Sequence, residues 1–560
     1  MAIHHLFLVL AISRWAERAS ENRRTGTIRS LSELEGLYPA RPAPPRGRLG
    51  RNTTLFIGIA SYRDNRCGRT LERAFAEAWD PHRVFIGVVQ QNEPGDSDCV
   101  ADFCALQRQN RARGSPYDRP GDVEADGAGA DRCDFRDQIR VRNMPASEAR
   151  GPAHARHFQQ QLIANESFCL QVDAHSDFRR GWDRALLREW GKCRNEYAVL
   201  TTYPPRMSDK PLDGFESWRA VEDGYPDASS VAHLCEATVT NAGHFRNEQA
   251  AMLMSPGDEP VLTSKWAAGL SFSKCHAERR VPNDRHLPWI WDGEEMSRAA
   301  RLWTHGYDFY TPSKSIVFHD YGRQGTVVGA PIPADIQRAS NERIFTLLGM
   351  RGAGRQNVSW GRYGLGSTRT LEQFGKFSGL DFQASRVDNS GQCADLLFVP
   401  WLPHIANDLG AALAEQAAAD GAASGDERWE RALVFMDMAL KQQPANATLL
   451  HNRGLLNRLL WRVADAIRDL RLALALQPDL EAARLSLVAA LAQRSLGGAS
   501  GAMEAAAEAC QELRRAGNFK SLNSSSSGNN SVTVQLLLNA LDGCEPEPDA
   551  PQNPKIRIKM

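Results

Sequence analysis

The alternation of buried strands with amphipathic helices, which begins at residue 55, constrains the fold of this chain more than any other feature. Residues 55–60 form an apolar run that predicts a strand buried on both faces. An apolar helical stripe follows over 70–79, and a second apolar run covers 84–89. Strand, helix and strand at this spacing predict a right-handed crossover, which is the unit of a parallel sheet.

The same alternation continues further along the chain. The predicted elements are a strand at 138–141, a helix at 152–165, a third buried strand at 168–172, a helix at 181–190 and a strand at 197–201. Residues 112–134 mix Ala, Gly, Asp, Arg and Pro, which predicts a surface insertion. The pattern is typical of a nucleotide-binding α/β sheet, in which ligands bind at the carboxyl ends of the strands.

The C-terminal part of the chain repeats with a period of 34 residues. Its repeated positions are Ala432, Met436, Ala439 and Pro444, which return as Ala466, Leu470, Ala473 and Pro478. They predict a small all-α segment of tetratricopeptide-like helical pairs. One clear repeat boundary and a degenerate unit near 481–515 are fewer than the three repeats that such a stack needs. We therefore expect the repeats to pack on the preceding domain or on a second copy of the chain, in a homodimer.

These patterns divide the chain into five segments. The predicted segments are a flexible lead-in at 1–51, an α/β domain at 52–385, a connector at 386–426, the helical repeats at 427–515 and a disordered tail at 516–560. Because stacked helical repeats form extended binding surfaces, a protein partner is expected at the repeats.

Charge and hydropathy exclude several classes of protein. The 67 Lys and Arg residues balance the 67 Asp and Glu residues, so we expect neither nucleic acid nor an anionic membrane as a partner. The most apolar terminal run, 6–12, is far shorter than the roughly 20 residues of a membrane-spanning helix. We expect a cytoplasmic protein without a membrane span, with the secretory pathway or Golgi as the alternative if this run acts as a leader.

The cysteines add an expectation about the compartment. There are 11 of them, an odd number, and their scattered positions match neither a paired disulfide framework nor a zinc site built from CxxC motifs. The sequence therefore predicts no disulfide framework and favours a reducing compartment.

An acidic residue and a histidine follow the third buried strand. Asp173 and His175 lie two positions apart, just past the strand, so both side chains can turn toward one point. A carboxylate oxygen and an imidazole nitrogen suit Mn²⁺ or a similar divalent cation with positions left for phosphate oxygens. The same tripeptide pattern arises by chance in many proteins, but its position at a strand end favours the ligand role.

A second histidine has a similar setting later in the chain. His319 follows a strand-like run at 315–318, and we predict that it is the third metal ligand. The alternative is a histidine that is hydrogen-bonded at the rim of the sheet.

Acidic and aromatic residues surround a glycine at 291–295. Asp292, Glu294 and Glu295 follow Trp291 closely. Carboxylates can bind sugar hydroxyls while an indole covers the apolar ring carbons. The alternative is the acidic start of a helix, because acids favour a helix N-terminus.

Two polar segments are candidates for nucleotide binding. The first follows the first strand and contains Ser61, Tyr62, Arg63 and Asp64. Tyr62 can stack on a base, Asp64 can accept hydrogen bonds from a ribose or a pyrimidine, and Arg63 can contact phosphate. Arg156 adds a positive charge near a helix N-terminus, where anionic groups bind. For each segment the alternative is an ordinary polar loop.

Seven segments, in this order, resemble the GlcNAc-transferase family that includes the cytoplasmic UDP-GlcNAc:hydroxyproline polypeptide GlcNAc-transferases. The segments, which span about 53–381, are TLFIGIASYRD, RVFIGVVQQ, GPAHARHF, CLQVDAHSDFRRGWD, WDGEEMSRAARLWTHGYDFYTP, FHDYGR and RYGLGSTRTLEQFGKFSGL. The resemblance implies a GT-A (Rossmann-like) fold, a UDP-GlcNAc donor and a divalent cation, Mn²⁺ or Mg²⁺. It does not extend to the C-terminal repeats.

The resemblance also implies roles for individual residues. Asp173 and His175 match the DxH motif that holds metal and diphosphate in the family, with His319 as the late histidine. The chain is similar as well to the mucin-type polypeptide GalNAc-transferases, whose W-G-G-E segment is matched by Trp291, Gly293 and Glu294, with Asp292 in place of the first glycine. Transfer in that group retains the anomeric configuration. Asp292, Glu294 and Glu295 are then contacts of the donor sugar or the acceptor, and Trp291 contacts the donor.

The function that follows is the transfer of a sugar, GlcNAc by resemblance, from a UDP-sugar to a hydroxyl acceptor. The resemblance implies a protein or peptide acceptor with hydroxyproline, Ser or Thr. The alternative is a catalytically inactive transferase-like scaffold that uses its helical repeats to bind proteins. A metal-dependent hydrolase is disfavoured, because no water-activating base is identifiable near Asp173.

Overall fold

A computed structural model describes most of the chain between residues 53 and 515. The described residues are 53–112, 133–206, 231–248, 252–254, 259–322, 332–350, 358–394, 396, 399, 401–423, 425–496, 502–515, 545–546 and 556–557. The predicted lead-in, nearly all of the predicted insertion and most of the predicted tail lie outside them. The described residues belong to two compact units, a sheet unit within 42–399 and a helical unit from 400 onward.

The sheet unit contains sixteen described strands and eight described α-helices. The strands are β1 (Leu55–Tyr62), β2 (Val84–Asn92), β3 (Ile139–Pro145), β4 (Phe168–Asp173), β5 (Ser176–Phe178), β6 (Ala198–Thr201), β7 (Val231–His233), β8 (Ala237–Val239), β9 (Phe245–Asn247), β10 (Met252–Met254), β11 (Val261–Thr263), β12 (Leu270–Lys274), β13 (Asp308–Thr311), β14 (Val317–His319), β15 (Leu380–Asp381) and β16 (Arg386–Val387). The helices are α1 (Cys67–Ala76), α2 (Cys99–Ala112), α3 (Pro152–Gln160), α4 (Trp182–Lys192), α5 (His276–Arg280), α6 (Glu294–Thr304), α7 (Ala334–Leu347) and α8 (Leu371–Ser378).

The central sheet has eight strands in the order β11-β13-β6-β12-β4-β1-β2-β3. β1 pairs in parallel with β2 and β4, and β2 pairs in parallel with β3, as the strand–helix–strand pattern predicts. β12 runs antiparallel to both β4 and β6, and β11 runs antiparallel to β13. The predicted α/β class is confirmed, and the sheet is mixed.

Strand β1 lies near the middle of the sheet and is buried on both faces. Leu55, Ile57 and Ile59 face one side, where they pack in the cluster that includes residues of α1 and α2. Phe56 belongs to a smaller cluster on the other side, because successive side chains of a strand point to opposite faces. A Cβ atom at Gly58 would overlap the side chain of Gln159, so glycine allows α3 to lie close against β1.

Four disulfides join distant parts of the sheet unit. They are Cys67–Cys99, Cys104–Cys133, Cys169–Cys275 and Cys235–Cys393. The prediction of no disulfide framework is therefore wrong. The paired cysteines are 29 to 158 residues apart in the sequence, so only the folded chain brings them together. Disulfides of this number favour an oxidising compartment over the reducing one predicted from the sequence.

The described residues of the helical unit form three helix pairs. Its elements are α9 (Pro403–Ala419), α10 (Glu427–Gln442), α11 (Ala447–Leu459), α12 (Val463–Leu476), α13 (Glu481–Leu496), α14 (Ala502–Arg515), β17 (Glu545–Pro546) and β18 (Ile556–Arg557). α9 packs on α10, α11 on α12, and α13 on α14. Helix α9 lies in the segment predicted as a connector. The domain boundaries and the tetratricopeptide assignment remain predictions.

Two glycines allow the first two helix pairs to pack closely. A Cβ atom at Gly410 of α9 would lie 3.0 Å from the carbonyl oxygen of Ala432, and one at Gly454 of α11 would lie 2.8 Å from Cγ of Leu470. The two contacts are alike, because Ala432 and Leu470 belong to the second helices of their pairs, at positions that the 34-residue pattern includes. None of the described helices is both long and apolar enough to cross a membrane.

Candidate functional site

A cavity of about 440 Å³ opens at the carboxyl ends of β1 and β4. These two strands are parallel neighbours, and Ala60 of β1 lies opposite Asp173 at the end of β4. The lining residues include Ala60, Tyr62, Asp64, Gln91, Arg156, Asp173, His175, Tyr203, Trp289, Trp291, Glu294, Glu295, His319 and Tyr321. The cavity is therefore at the edge of the sheet where ligands of α/β proteins bind.

The three predicted metal ligands lie together at this cavity. One donor atom each from Asp173, His175 and His319 lies within 4.8 Å of the other two. Strand β14 brings His319 to this point, because it pairs antiparallel with β5 and sets His319 opposite Ser176. Nε2 of His319 lies 3.1 Å from Oδ2 of Asp173, and the two imidazole rings are 4.6 Å apart. Among the described residues this is the one such group.

Arg156 connects Asp173 to a second carboxylate. The guanidinium donates one hydrogen bond of 2.9 Å to Oδ1 of Asp173 and another of 2.7 Å to Oε1 of Glu294. Burial alone would lower the pKa of Arg156, but the charges of Glu294 and Asp173 raise it above its usual value. Arg156 thus carries a fixed positive charge between two acids at the cavity wall.

The same contacts keep Asp173 ionised. Burial opposes its negative charge, but the hydrogen bond with His319 and the charge of Arg156 outweigh burial and hold the pKa of Asp173 well below its usual range. A carboxylate that stays ionised at neutral pH can serve as a metal ligand throughout the physiological range.

The donor set fits a divalent cation. It combines one carboxylate with two imidazoles, a mixture suited to Mn²⁺ and related ions. Nδ1 of His175 is 2.7 Å from Oδ2 of Asp64, which leaves the other ring nitrogen for a ligand. Metal-binding histidines usually have such a carboxylate or carbonyl partner on the second nitrogen.

The glycine in the predicted acidic segment shapes the next part of the cavity wall. Gly293 has a φ of +87°, and a Cβ atom there would lie 2.5 Å from Nδ1 of His244, so only glycine fits. The turn allows Trp291 and Glu294, on either side of it, to line the cavity. Helix α6 begins at Glu294, so the alternative of an acidic helix start is confirmed, while the contact of these acids with a sugar stays a prediction.

Glu295 lies in a separate hydrogen-bond network at the cavity. Its Oε2 accepts from the hydroxyl of Tyr203 at 2.5 Å and from Asn247 at 3.2 Å, and its Oε1 accepts from the backbone N–H of Ala268 at 2.8 Å. Burial outweighs these bonds and raises the pKa of Glu295 to about 7. The group therefore changes its charge near neutral pH.

Three predicted site residues do not line the cavity. Ser61 is fully buried, because it points to the opposite face of β1 from Ala60. Nε and Nη2 of Arg63 donate to Asp96 at 2.7 and 3.0 Å. The burial of Ser61 contradicts the nucleotide contact predicted for it, and the contact predicted for Arg63 stays a prediction.

Asp292 is the third of these residues. It lies outside the cavity lining and forms an ion pair of 3.6 Å with Arg246, in which both side chains are about half exposed. The predicted contact of Asp292 with a sugar stays a prediction.

Several cavity residues were missed in the sequence. Tyr203 lies two residues beyond the end of β6, and Tyr321 lies two residues beyond the end of β14, with its ring 4.2 Å from that of His319. Both follow strands, so the rule that located Asp173 also applies to them. Trp289 and Gln91 line the cavity as well.

The chain belongs to the glycosyltransferase (GlcNAc) family, whose model matches residues 54–384. A search of curated proteins found no match.

Solved structures show low similarity to the chain. GalNAc-T7 with UDP, GalNAc and Mn²⁺ has 13% identity and a TM-score of 0.32, and the match covers 50% of this chain but only 46% of that one. S. aureus TarS 1-349 in complex with UDP-GlcNAc has 11% identity and a TM-score of 0.30 over 70% of this chain and 93% of that one. A second S. aureus TarS structure has 10% identity and a TM-score of 0.30 over 72% and 55%.

Proposed function

We propose that the chain is a metal-dependent transferase that moves GlcNAc from UDP-GlcNAc to a hydroxyl group. The observation that carries the proposal is the cluster of Asp173, His175 and His319 at the wall of a cavity that also contains Arg156 and Glu294. Membership of the glycosyltransferase (GlcNAc) family supports glycosyl transfer as the reaction and GlcNAc as the sugar. The donor set supports the dependence on a divalent cation, Mn²⁺ or Mg²⁺.

In this proposal Asp173, His175 and His319 hold the cation. When bound, it supplies positive charge that neutralises the diphosphate leaving group. Arg156 keeps Asp173 ionised and in position through its hydrogen bond. The positioning of donor and acceptor by the cavity wall supplies much of the remaining rate enhancement.

The other side chains of the cavity hold the nucleotide and the sugar. Tyr62 offers a ring for stacking on the base. Glu294 gives one oxygen to Arg156 and has a second for a sugar hydroxyl. Trp291 is 46% exposed, so its indole face is open to a sugar ring or an acceptor. We assign Glu295 to contacts with the donor sugar or the acceptor.

We further propose a protein or peptide acceptor with hydroxyproline, Ser or Thr, and retention of the anomeric configuration. Both proposals, the acceptor and the retention, rest on the resemblance of the sequence motifs to those of the GlcNAc-transferase and GalNAc-transferase families. For the compartment we favour the secretory pathway over the cytoplasm, because the sheet unit has four disulfides.

The helical unit supports the proposal of a protein partner. A groove of about 420 Å³ is lined by apolar side chains and three arginines. Its lining residues are Ala464, Ile467, Arg468, Arg471, Leu472, Ala475 and Arg494. The predicted homodimer is the other candidate for this unit.

The Asp173→Ala variant tests the proposed activity. The measurement is release of UDP and free sugar from a panel of UDP-sugars, with and without Mn²⁺. We expect metal-dependent turnover of UDP-GlcNAc by the wild type and none by the variant. The Asp381→Ala variant is the control, because Asp381 is a partly exposed acid that pairs with Arg386 at the surface. Undiminished turnover by Asp173→Ala at saturating donor would refute the role of Asp173.

The same experiment separates the enzyme from the inactive scaffold. A scaffold would show no metal-dependent turnover with any UDP-sugar and no metal-dependent binding of UDP-GlcNAc. Either form of metal dependence in the wild type would exclude it.

A further inference from the structure

The aspartate that was predicted to contact the nucleotide lies against a histidine instead. Asp64 follows β1, and its side chain is 2% exposed. Its Oδ2 lies 2.7 Å from Nδ1 of His175. No nucleotide is needed to explain this contact, and His175 is one of the three candidate metal ligands.

We infer that Asp64 is a positioning residue that fixes the tautomer and the ring orientation of His175; this inference rests on the proposed function. A carboxylate can only accept hydrogen bonds. Nδ1 of His175 therefore carries a proton and donates it to Asp64, so the lone pair of the neutral ring is on Nε2. A neutral imidazole with a free Nε2 is the form that binds a cation.

Arg66 holds Asp64 in place. The backbone N–H of Arg66 donates to Oδ1 of Asp64 at 3.0 Å, and Nε of the same residue lies 3.6 Å from that oxygen. Both donors of Arg66 approach Oδ1, while Oδ2 is the oxygen nearest to His175. The two oxygens of Asp64 therefore have different partners.

The same arginine connects the two segments that carry the histidine ligands. Nη1 of Arg66 donates to Oδ2 of Asp320, which is the neighbour of His319 in the sequence. The backbone N–H of Asp320 donates to the carbonyl oxygen of His175 at 3.0 Å. Asp64, Arg66 and Asp320 thus form one chain of contacts that sets the spacing of the two imidazoles.

The geometry leads to an unusual expectation for Asp64→Asn. Asparagine has the shape of aspartate, but only one of its two terminal atoms can accept a hydrogen bond. Because two donors of Arg66 face the position of Oδ1, the amide oxygen belongs there, and the NH₂ group then faces His175. That group would donate to Nδ1 and move the ring proton to Nε2. The substitution keeps the shape of the side chain but blocks the metal-binding nitrogen.

The first measurement is Mn²⁺ binding by calorimetry, with the purified full chain and no UDP-sugar. Loss of a partner of a metal-binding histidine typically weakens metal binding by about 10- to 100-fold. We expect a loss in that range for Asp64→Asn and for Asp64→Ala. Asp96→Asn is the control, because Asp96 pairs with Arg63 near the same loop and does not contact His175.

The second measurement is the tautomer of His175, read from imidazole ¹⁵N chemical shifts in metal-free protein. We expect the Nδ1–H form in the wild type and the Nε2–H form in Asp64→Asn. A loss of packing alone would not reverse the tautomer, so this result distinguishes positioning from a general structural role. It also stays informative if Asp64→Ala does not fold.

Two outcomes overturn the inference. One is Mn²⁺ binding by both Asp64 variants at the wild-type affinity, and the other is the same His175 tautomer in Asp64→Asn and in the wild type. If the wild type itself binds no Mn²⁺, the metal-dependent function fails, and the tautomer measurement alone decides whether Asp64 orients His175.

Discussion

The sheet unit and the helical unit each contain an arginine between two carboxylates. In the sheet unit Arg156 donates to Asp173 and Glu294. In the helical unit Arg453 donates to both oxygens of Asp469 at 2.8 Å and to Asp437 at 2.8 Å. The chemical groups are the same, but their surroundings are different.

The difference is in what else can reach the carboxylates. Asp469 is fully buried, and Asn457 donates to it at 3.3 Å in addition to the two bonds from Arg453. Its hydrogen bonds join α11 to α12 and leave no open side. Asp173 is 28% exposed, faces a cavity and has two histidines beside it. An ionic cluster therefore becomes a candidate binding site only where a cavity leaves part of it open.

The largest effect is expected for Arg156→Ala. The substitution leaves Asp173 and Glu294 close together without the positive charge between them. Breaking a buried ion pair in this way typically costs about 3–5 kcal/mol. We expect a loss of that size in the free energy of unfolding of the sheet unit, measured in urea, together with loss of UDP-GlcNAc turnover. Wild-type turnover by a folded Arg156→Ala variant would show that the arginine is not needed at the site.

The next effect concerns the pH dependence of the sheet unit. The pKa of Glu295 is raised to about 7 in the folded chain, while a free glutamate has a pKa near 4.3. Between these values the folded state holds a proton that the unfolded state has lost, so the free energy of unfolding falls as pH rises through this window. The contribution is at most about 4 kcal/mol.

Glu295→Gln is the variant that isolates this effect. It cannot ionise, so its free energy of unfolding should fall less steeply between about pH 4.5 and 7 than that of the wild type. Equal slopes for the two proteins in denaturant titrations at several pH values would show that Glu295 does not titrate in this window.

A smaller effect is expected for Arg453→Ala. It leaves Asp469 buried without its charge partner, which costs about 3 kcal/mol, the low end of the range for a broken buried ion pair, because the Arg453 side chain is itself 23% exposed. We expect the helical unit to unfold at a lower urea concentration, while UDP-GlcNAc turnover per folded molecule stays at the wild-type value. A variant that is fully folded but has lost turnover would show that the cluster in the helical unit also serves the reaction.

The smallest effects are expected when one helical glycine in each unit is replaced by alanine. At Gly454 a Cβ atom would lie 2.8 Å from Leu470, whereas at Gly191 in α4 nothing lies within 4 Å. Gly454→Ala should destabilise the helical unit by about 1 kcal/mol, because overpacking exceeds the gain in helix propensity. Gly191→Ala should stabilise the sheet unit by about 0.5 kcal/mol. Thermal melts of both variants check the opposite signs.

The sequence predicted the part of the fold that depends on local pattern. The apolar runs that became β1, β2 and β4 and the helical stripe that became α1 are visible in the sequence without any knowledge of distant contacts. The antiparallel strand β12 was missed, because its position between β4 and β6 is set by pairing with strands far away in the sequence. The disulfides were missed for the same reason.

The site was predictable to the extent that its residues follow strands. Asp173 ends β4, His175 lies two residues beyond it, and His319 ends β14, and the structure brings the three together. Ser61 and Arg63 show the limit of this rule, because side-chain direction within β1 and the pairing of Arg63 with Asp96 depend on three-dimensional packing. The contact of Asp64 with His175 could not be inferred from two segments that are 111 residues apart.

The most direct test of the account is a calorimetric titration of UDP-GlcNAc into the full chain, with and without Mn²⁺, for the wild type and for Asp173→Ala. The account predicts that the wild type binds the donor only weakly without the metal and much more tightly with it, and that Asp173→Ala loses this difference. Donor binding that is the same with and without Mn²⁺ in the wild type, or an Mn²⁺ effect that survives in Asp173→Ala, would contradict it.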